Sequence, residues 1–117
     1  MGRYIINGGK RLFGTVNVHG SKNAALPILC ACIVNSGINI IHNCPKITDV
    51  YNTCRLLEKA GCSVLWEEST VVVDSSKAHF IVLDGDEVSK MRTSVIFVGA
   101  FCGRFKGARV AKPGGCK

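Results

Sequence analysis

The sequence predicts an α/β domain assembled from a repeated unit of strand, buried helix, strand, surface helix and hairpin, and three observations predict it. Strand-length alternating or β-branched runs interleave with helix-length apolar or amphipathic stretches. Glycine-bearing turns such as Asn7-Gly8-Gly9 and Asn35-Ser36-Gly37 punctuate their ends. An ungapped shift of 68 residues then lays Ser21-Lys22 on Ser89-Lys90, Ile28 on Ile96 and Pro45 on Pro113, helix on helix and strand on strand. The second copy stops where the first enters its surface helix, so the chain reads as the front part of a longer protein.

In order, Tyr4-Ile5-Ile6 is expected as a short strand and Leu12 to Val18 as a second, alternating one. Gly20-Ser21 then leads into a helix from Lys22 to Val34, apolar almost all round and therefore buried, with Ser21 as its N-cap. Pro27 lies inside it, which leaves the Asn23 carbonyl without its helical N–H and should loosen or kink the first turn. Ile38 to Ile41 is a strand ended by Asn43-Cys44-Pro45. Thr48 caps a second helix, with Asp49 in its dipole-favoured first turn, Val50, Cys54 and Leu57 at helical spacing, and Gly61 at its end. Val64 and Trp66 share one side of a strand, Glu67 to Thr70 turn, and Val71 to Val73 return as the hairpin partner. Phe80 to Leu83 is a strand, a helix runs from about Ser89 to Cys102, and Gly107 to Lys112 is a final strand.

At 117 residues the chain holds one hydrophobic core, and 47% apolar against 20% charged residues is a folding rather than a disordered composition. A net charge of +7 favours anionic partners. The basic residues form no blocks and no nucleic-acid module signature is present, so a phosphate-bearing small molecule fits better than DNA or RNA. A small basic nucleic-acid-binding domain is the alternative that rests on charge alone. The longest apolar run, Ala24 to Val34, is too short to span a bilayer. With no apolar leader at Met1, the seven cysteines are expected reduced, in the cytoplasm. No Cys or His spacing suits a metal. Cys30, Cys32, Cys54 and Cys102 sit in apolar helical runs and are expected as small buried hydrophobes.

Two places carry candidate chemistry. Lys22 and Asn23 occupy the first turn after a tight glycine, and under the repeat Lys90 and Arg92 occupy the matching turn. Cations at a helix start oppose the dipole, a cost that an anion bound there would offset. Two readings stay open on the residues alone: a phosphate or carboxylate cradle, or an ordinary α/β connection with Arg92 reaching to the surface. Pro113-Gly114-Gly115-Cys116 is the second place. Its glycines allow close backbone approach, and Lys112 and Lys117 favour a thiolate, so Cys116 is the candidate reactive residue, although spacing supplies no base or orienting partner.

Five motifs lie in order: Gly20 to Leu29 (GSKNAALPIL), Asn43 to Asp49 (NCPKITD), Met91-Arg92 with Ser94, Arg104-Phe105, and Pro113 to Cys116. On these the whole chain resembles the UDP-N-acetylglucosamine 1-carboxyvinyltransferase family of enolpyruvyl transferases. The resemblance implies two domains, each an inside-out α/β prism of three βαβαββ units, with the active site between them and about one and a half units in this chain. Residues 1–20 would belong largely to a second domain and residues 21–117 to an incomplete first one.

The implied activity is transfer of the enolpyruvyl group of phosphoenolpyruvate to the 3-hydroxyl of UDP-N-acetylglucosamine, in peptidoglycan synthesis, through a tetrahedral ketal and without metal or organic cofactor. The resemblance assigns Lys22 and Asn23 to phosphoenolpyruvate and the sugar, and Arg92 to the UDP-sugar. It assigns Cys116 to protonation of the methylene carbon and to alkylation by fosfomycin. The related shikimate-pathway synthase shares the fold but lacks this cysteine loop. Ile96 stands where family members often carry an aromatic, and the family's catalytic aspartate and the segment after the cysteine are absent. Alone, the chain is expected to be inactive, with exposed apolar surface. A non-catalytic fragment of the same family is the other reading.

Overall fold

A computed structural model describes residues 2–84, 88 and 94–110. The elements run α1 (Lys22–Ala31), β1 (Ile38–Ile41), α2 (Thr48–Lys59), β2 (Ser63–Glu67), β3 (Thr70–Asp74), β4 (Val82–Leu83), α3 (Ser94–Phe105) and β5 (Arg109–Val110). The mixed α/β class and the order of helices and strands from residue 22 onward agree with the sequence.

β3 is the centre of an antiparallel sheet, flanked by β1 and β2. Its register puts Ile41, Val71 and Trp66 in one row across the sheet and Asn39, Val73 and Val64 in the next. Val71 and Val73 are fully buried, which marks this as the inner face. The outer face carries the row Ile40, Val72 and Leu65, with Ile40 and Leu65 exposed. The turn between β2 and β3 is only Glu68-Ser69, shorter than the four residues expected. Glu68 takes a positive φ of 50° to close it, and Glu67 pairs directly with Thr70.

α2 buries Val50, Thr53, Cys54 and Leu57, the i, i+3, i+4, i+7 stripe of an amphipathic helix, along with Leu56. Each fully buried Leu or Val contributes roughly 1.5–3 kcal/mol relative to exposure. The helix begins one residue differently from expectation: Ile47 is the N-cap and Thr48 the first helical residue. Its end is as the glycine foretold. Gly61, at φ +85°, donates to the Glu58 carbonyl while Cys62 donates to that of Leu57, the paired bonds of a Schellman cap. A side chain at Gly61 would also strike the His79 ring, 2.4 Å from the nearest ring atom.

α1 stops at Ala31 rather than Val34, because Ile33 and Val34 donate to the carbonyls three residues back and tighten the last turn. Its burial also differs from expectation. Leu26, Leu29 and Cys30 are buried, but Ala24, Pro27, Ile28, Ala31 and Val34 are exposed. α3 runs one turn past the expected Cys102, because Phe97, Phe101 and Phe105 form a ladder of edge-on rings joined by Phe80. Its opposite side leaves Val95, Ile96, Gly99 and Cys102 exposed, so Cys102 is not the core thiol that its apolar run suggested. The bare flanks of α1 and α3 adjoin along a groove of about 160 Å³ lined by Pro27, Val34, Ile96 and Gly99. Two helices cover only part of each other, and no described element covers the rest.

β4 and β5 pair in parallel around α3; β4 is two residues, shorter than expected, while β5 begins at Arg109 rather than Gly107 and the rest of its expected span lies outside the described residues. The strands expected at Tyr4 to Ile6 and Leu12 to Val18 are absent from the described fold. Residues 2–20 form no regular element, and Tyr4 is 93% and Leu12 95% exposed. Alternation supplies a strand's faces but not a ladder partner, and without one its N–H and C=O groups stay with water.

Five thiols line this core. Burial pushes Cys30 and Cys54 up to about 12 and Cys32 and Cys62 up to about 11, and raises Cys44. A folded-state value above the unfolded one means that the native state holds its protons longer. The thiols' contribution is therefore complete below about pH 9 and declines as pH rises toward 11–12. The unfolding free energy read from urea titrations is expected to fall between pH 8 and pH 10.5, by at most ~1.4 kcal/mol per pH unit for each thiol. Replacing Cys30 by Ala should lessen that slope by up to one proton; an unchanged slope would contradict the assignment.

Candidate functional site

The start of α1 lies against the loop that leads into α2, and one glycine makes that contact possible. A Cβ at Gly20 would lie 1.8 Å from the Asn43 carbonyl oxygen and 3.3 Å from the Pro45 ring. Both obstacles belong to a constrained loop: Asn43 is held at φ 53°, and Cys44 donates to the Ser69 carbonyl at 2.7 Å. Only glycine allows this approach. It brings the N-termini of α1 and α2 side by side.

Lys22, the first residue of α1, forms an ion pair with Asp49 in the first turn of α2. The two side chains are 52% and 41% exposed, so neither charge is sealed from solvent. Ser21 holds the N-cap position with extended backbone but makes no side-chain cap bond; its carbonyl accepts from Ala24 and Ala25. Asn23 is exposed on the same turn as Lys22. Beside the pair opens a cleft of about 630 Å³, lined by His19, Gly20, Lys22, Cys44, Pro45, Lys46, Ile47, Glu68 and Ser69. Three basic side chains and one carboxylate border it, with Pro45 and Ile47 as apolar lining, which suits an anionic ligand of small-molecule size. Cys44 lines the cleft but is buried, and desolvation raises its pKa, so the thiol stays protonated near neutral pH.

The ion pair alters one argument made from sequence. A lysine at a helix start is a cost that a bound anion would offset, yet the chain supplies its own anion in Asp49. Lys22 therefore needs no ligand to be tolerated there. Of the candidate residues, Lys22 and Asn23, neighbours in the chain, are described, and of the two Lys22 lines the cleft. Arg92 and Cys116 lie outside the described residues, as do Lys90, Lys112 and Lys117. Asp49 is the residue that sequence reasoning missed as a site member. Its helix-start position was legible, but nothing in the local pattern connects it to a lysine in another helix. Among the described residues, no group of three or more His, Cys, Asp or Glu side chains is placed to hold a metal.

A helix-start lysine beside a cleft bordered by basic side chains, within a partial α/β repeat, defines a class that comparison with known proteins identifies. The chain belongs to the EPSP synthase (3-phosphoshikimate 1-carboxyvinyltransferase) family, whose pattern it matches over residues 6–117. It is 44% identical over 116 residues to UDP-N-acetylglucosamine 1-carboxyvinyltransferase 2 of Caldanaerobacter subterraneus. It is 43% identical over 117 residues to the protein of that name from Clostridium acetobutylicum, and 40% identical over 116 residues to the UDP-N-acetylglucosamine 1-carboxyvinyltransferase of Trichlorobacter lovleyi. Each match takes in 99% of this chain but only 28% of the relative's length. Among solved structures, the enolpyruvyl transferase NikO from Streptomyces tendae superposes with a TM-score of 0.71 at 27% identity, over 84% of this chain and 23% of that one. The enolpyruvyl transferase fold expected from the sequence is thereby supported.

The close approach at Gly20 has a testable cost. Gly20→Ala is expected to lower stability by about 1–3 kcal/mol in urea unfolding, since the obstacle is backbone and cannot step aside. Gly99→Ala, in a helix with nothing within 4 Å of the added Cβ, should have the opposite sign. It is expected to stabilise by about 0.5–1 kcal/mol. Equal effects of the two substitutions would contradict the described contact.

Proposed function

We propose that this chain is the N-terminal part of an enzyme that transfers the enolpyruvyl group of phosphoenolpyruvate to the 3-hydroxyl of UDP-N-acetylglucosamine, releasing phosphate. The observation that carries this reading is 40–44% identity, over 99% of the chain, to relatives bearing that activity in their names. Peptidoglycan synthesis in the cytoplasm follows as the setting of that activity. Among the described residues no helix is long and apolar enough to cross a membrane.

In this reading residues 21–117 form the first part of one domain, and residues 1–20 pair with a second domain supplied by the rest of the protein. The bare flanks of α1 and α3 and the unpartnered residues 2–20 are surfaces that such a remainder would cover. Lys22 pairs with the phosphate or carboxylate of phosphoenolpyruvate, Asn23 contacts both substrates, and Arg92 contacts the UDP-sugar. Cys116 gives its thiol proton to the methylene carbon as the sugar 3-hydroxyl, losing its own proton to a base supplied by the rest of the protein, bonds through oxygen to the adjacent carbon. Loss of a proton from the resulting methyl group and departure of phosphate then restore the double bond. Fixed cations suit this chemistry, because they stabilise the departing charge without reorganising.

The test joins this chain to the part of the Caldanaerobacter relative that it does not match and follows phosphate release. Release from phosphoenolpyruvate is expected only with UDP-N-acetylglucosamine present. It should fall by about 10²-fold or more in Lys22→Ala, the usual scale for losing one electrostatic stabiliser. An active chimera indifferent to Lys22 would overturn the residue assignment, and one that folds but releases no phosphate would overturn the activity.

A further inference from the structure

The Lys22–Asp49 pair extends the proposed site by one residue. Asp49 is 27 positions from Lys22 in sequence and belongs to another helix, yet the Gly20 contact with Asn43 and Pro45 sets the two helix starts in register. The turn carrying Asp49 is itself braced. Thr53, wholly buried, donates its hydroxyl to the Asp49 carbonyl at 2.8 Å. Asp49 thus presents its carboxylate from a rigid turn, whereas Lys22 carries its charge on a flexible four-carbon stem.

We propose that Asp49 is a positioning residue for Lys22, holding the ammonium at the cleft mouth before an anionic substrate arrives. This rests on the reading of Lys22 as a phosphoenolpyruvate-binding residue. An ammonium has three N–H donors and a single carboxylate need occupy only one, so the others stay available. The half-exposed Lys22 side chain also lines the cleft, which leaves those donors a direction in which to meet a ligand. Without the carboxylate, Lys22 would sample many rotamers, and binding would have to order them at the expense of affinity. Asp49 makes no contact with substrate in this proposal and is not a proton carrier.

The experiment uses the 117-residue chain. Each lysine's acetylation rate under brief acetic anhydride treatment is read by peptide mass mapping, with and without phosphoenolpyruvate, in wild type, Asp49→Asn and Asp49→Glu. Lys46, exposed on the same cleft, is the internal reference. In wild type, Lys22 is expected to react about fivefold more slowly than Lys46, and Asp49→Asn should bring the two within about twofold. The phosphoenolpyruvate concentration that half-protects Lys22 should rise about tenfold in Asp49→Asn and return to within about threefold of wild type in Asp49→Glu.

If Asp49→Asn changes neither the Lys22 rate nor the half-protecting concentration, while phosphoenolpyruvate still protects, the positioning role is overturned and the substrate reading stands. A changed rate with no protection in any variant overturns the substrate reading, and the positioning role with it. A merely structural Asp49 would shift the urea midpoint of Asp49→Asn while leaving the half-protecting concentration where it was, which also overturns the proposal.

Discussion

The backbone of Gly20 against the carbonyl of Asn43 is the constraint on which the arrangement of the site depends. That contact joins the start of the first helix to the loop feeding the second, and no residue with a Cβ can make it. Two helix N-termini then lie side by side, each with a residue of opposite charge in its first turn. The favourable placement of Asp49 at a positive helix end offsets the unfavourable placement of Lys22, and the pair ties both starts together. Geometry at one glycine thus decides electrostatics at a cleft.

Around this junction the core is ordinary in chemistry and uneven in coverage. Valines of the central strand, the buried stripe of α2 and the Phe97, Phe101 and Phe105 ladder exclude water from one side of the sheet. Buried thiols fill the spaces among them as small apolar groups, protonated because burial disfavours the thiolate. Coverage fails on the outer flanks of α1 and α3, where Ile28, Val34, Val95 and Ile96 remain exposed, and along residues 2–20. Apolar residues in this number at a surface mark interfaces. The relatives it matches are more than three times as long as this chain.

The functional reading joins two kinds of support with different reach. Family membership covers nearly the whole chain and bears on the chemistry of the longer relatives. The geometry bears on a smaller point, a lysine at a cleft of about 630 Å³ paired with a carboxylate on another helix. Neither depends on the other. Pairing with Asp49 removes the electrostatic cost of Lys22 at a helix start, while its position on the cleft is unaffected.

Local pattern determined much of this protein. Gly61 ended α2 because only a residue free of Cβ strain closes a Schellman cap, and the spacing of Val50, Cys54 and Leu57 assigned that helix its buried face. The five collinear motifs carried the family. Other features required the tertiary structure, because they depend on what lies across from a residue rather than beside it. Alternation from Leu12 to Val18 named strand faces but could not provide a ladder, and an α1 apolar almost all round could not reveal which flank would go uncovered. Lys22 and Gly20 were both visible in the sequence; that Asp49 meets the one and Asn43 the other was not. Contacts between segments distant along the chain are set by how whole elements pack, and no local periodicity encodes them.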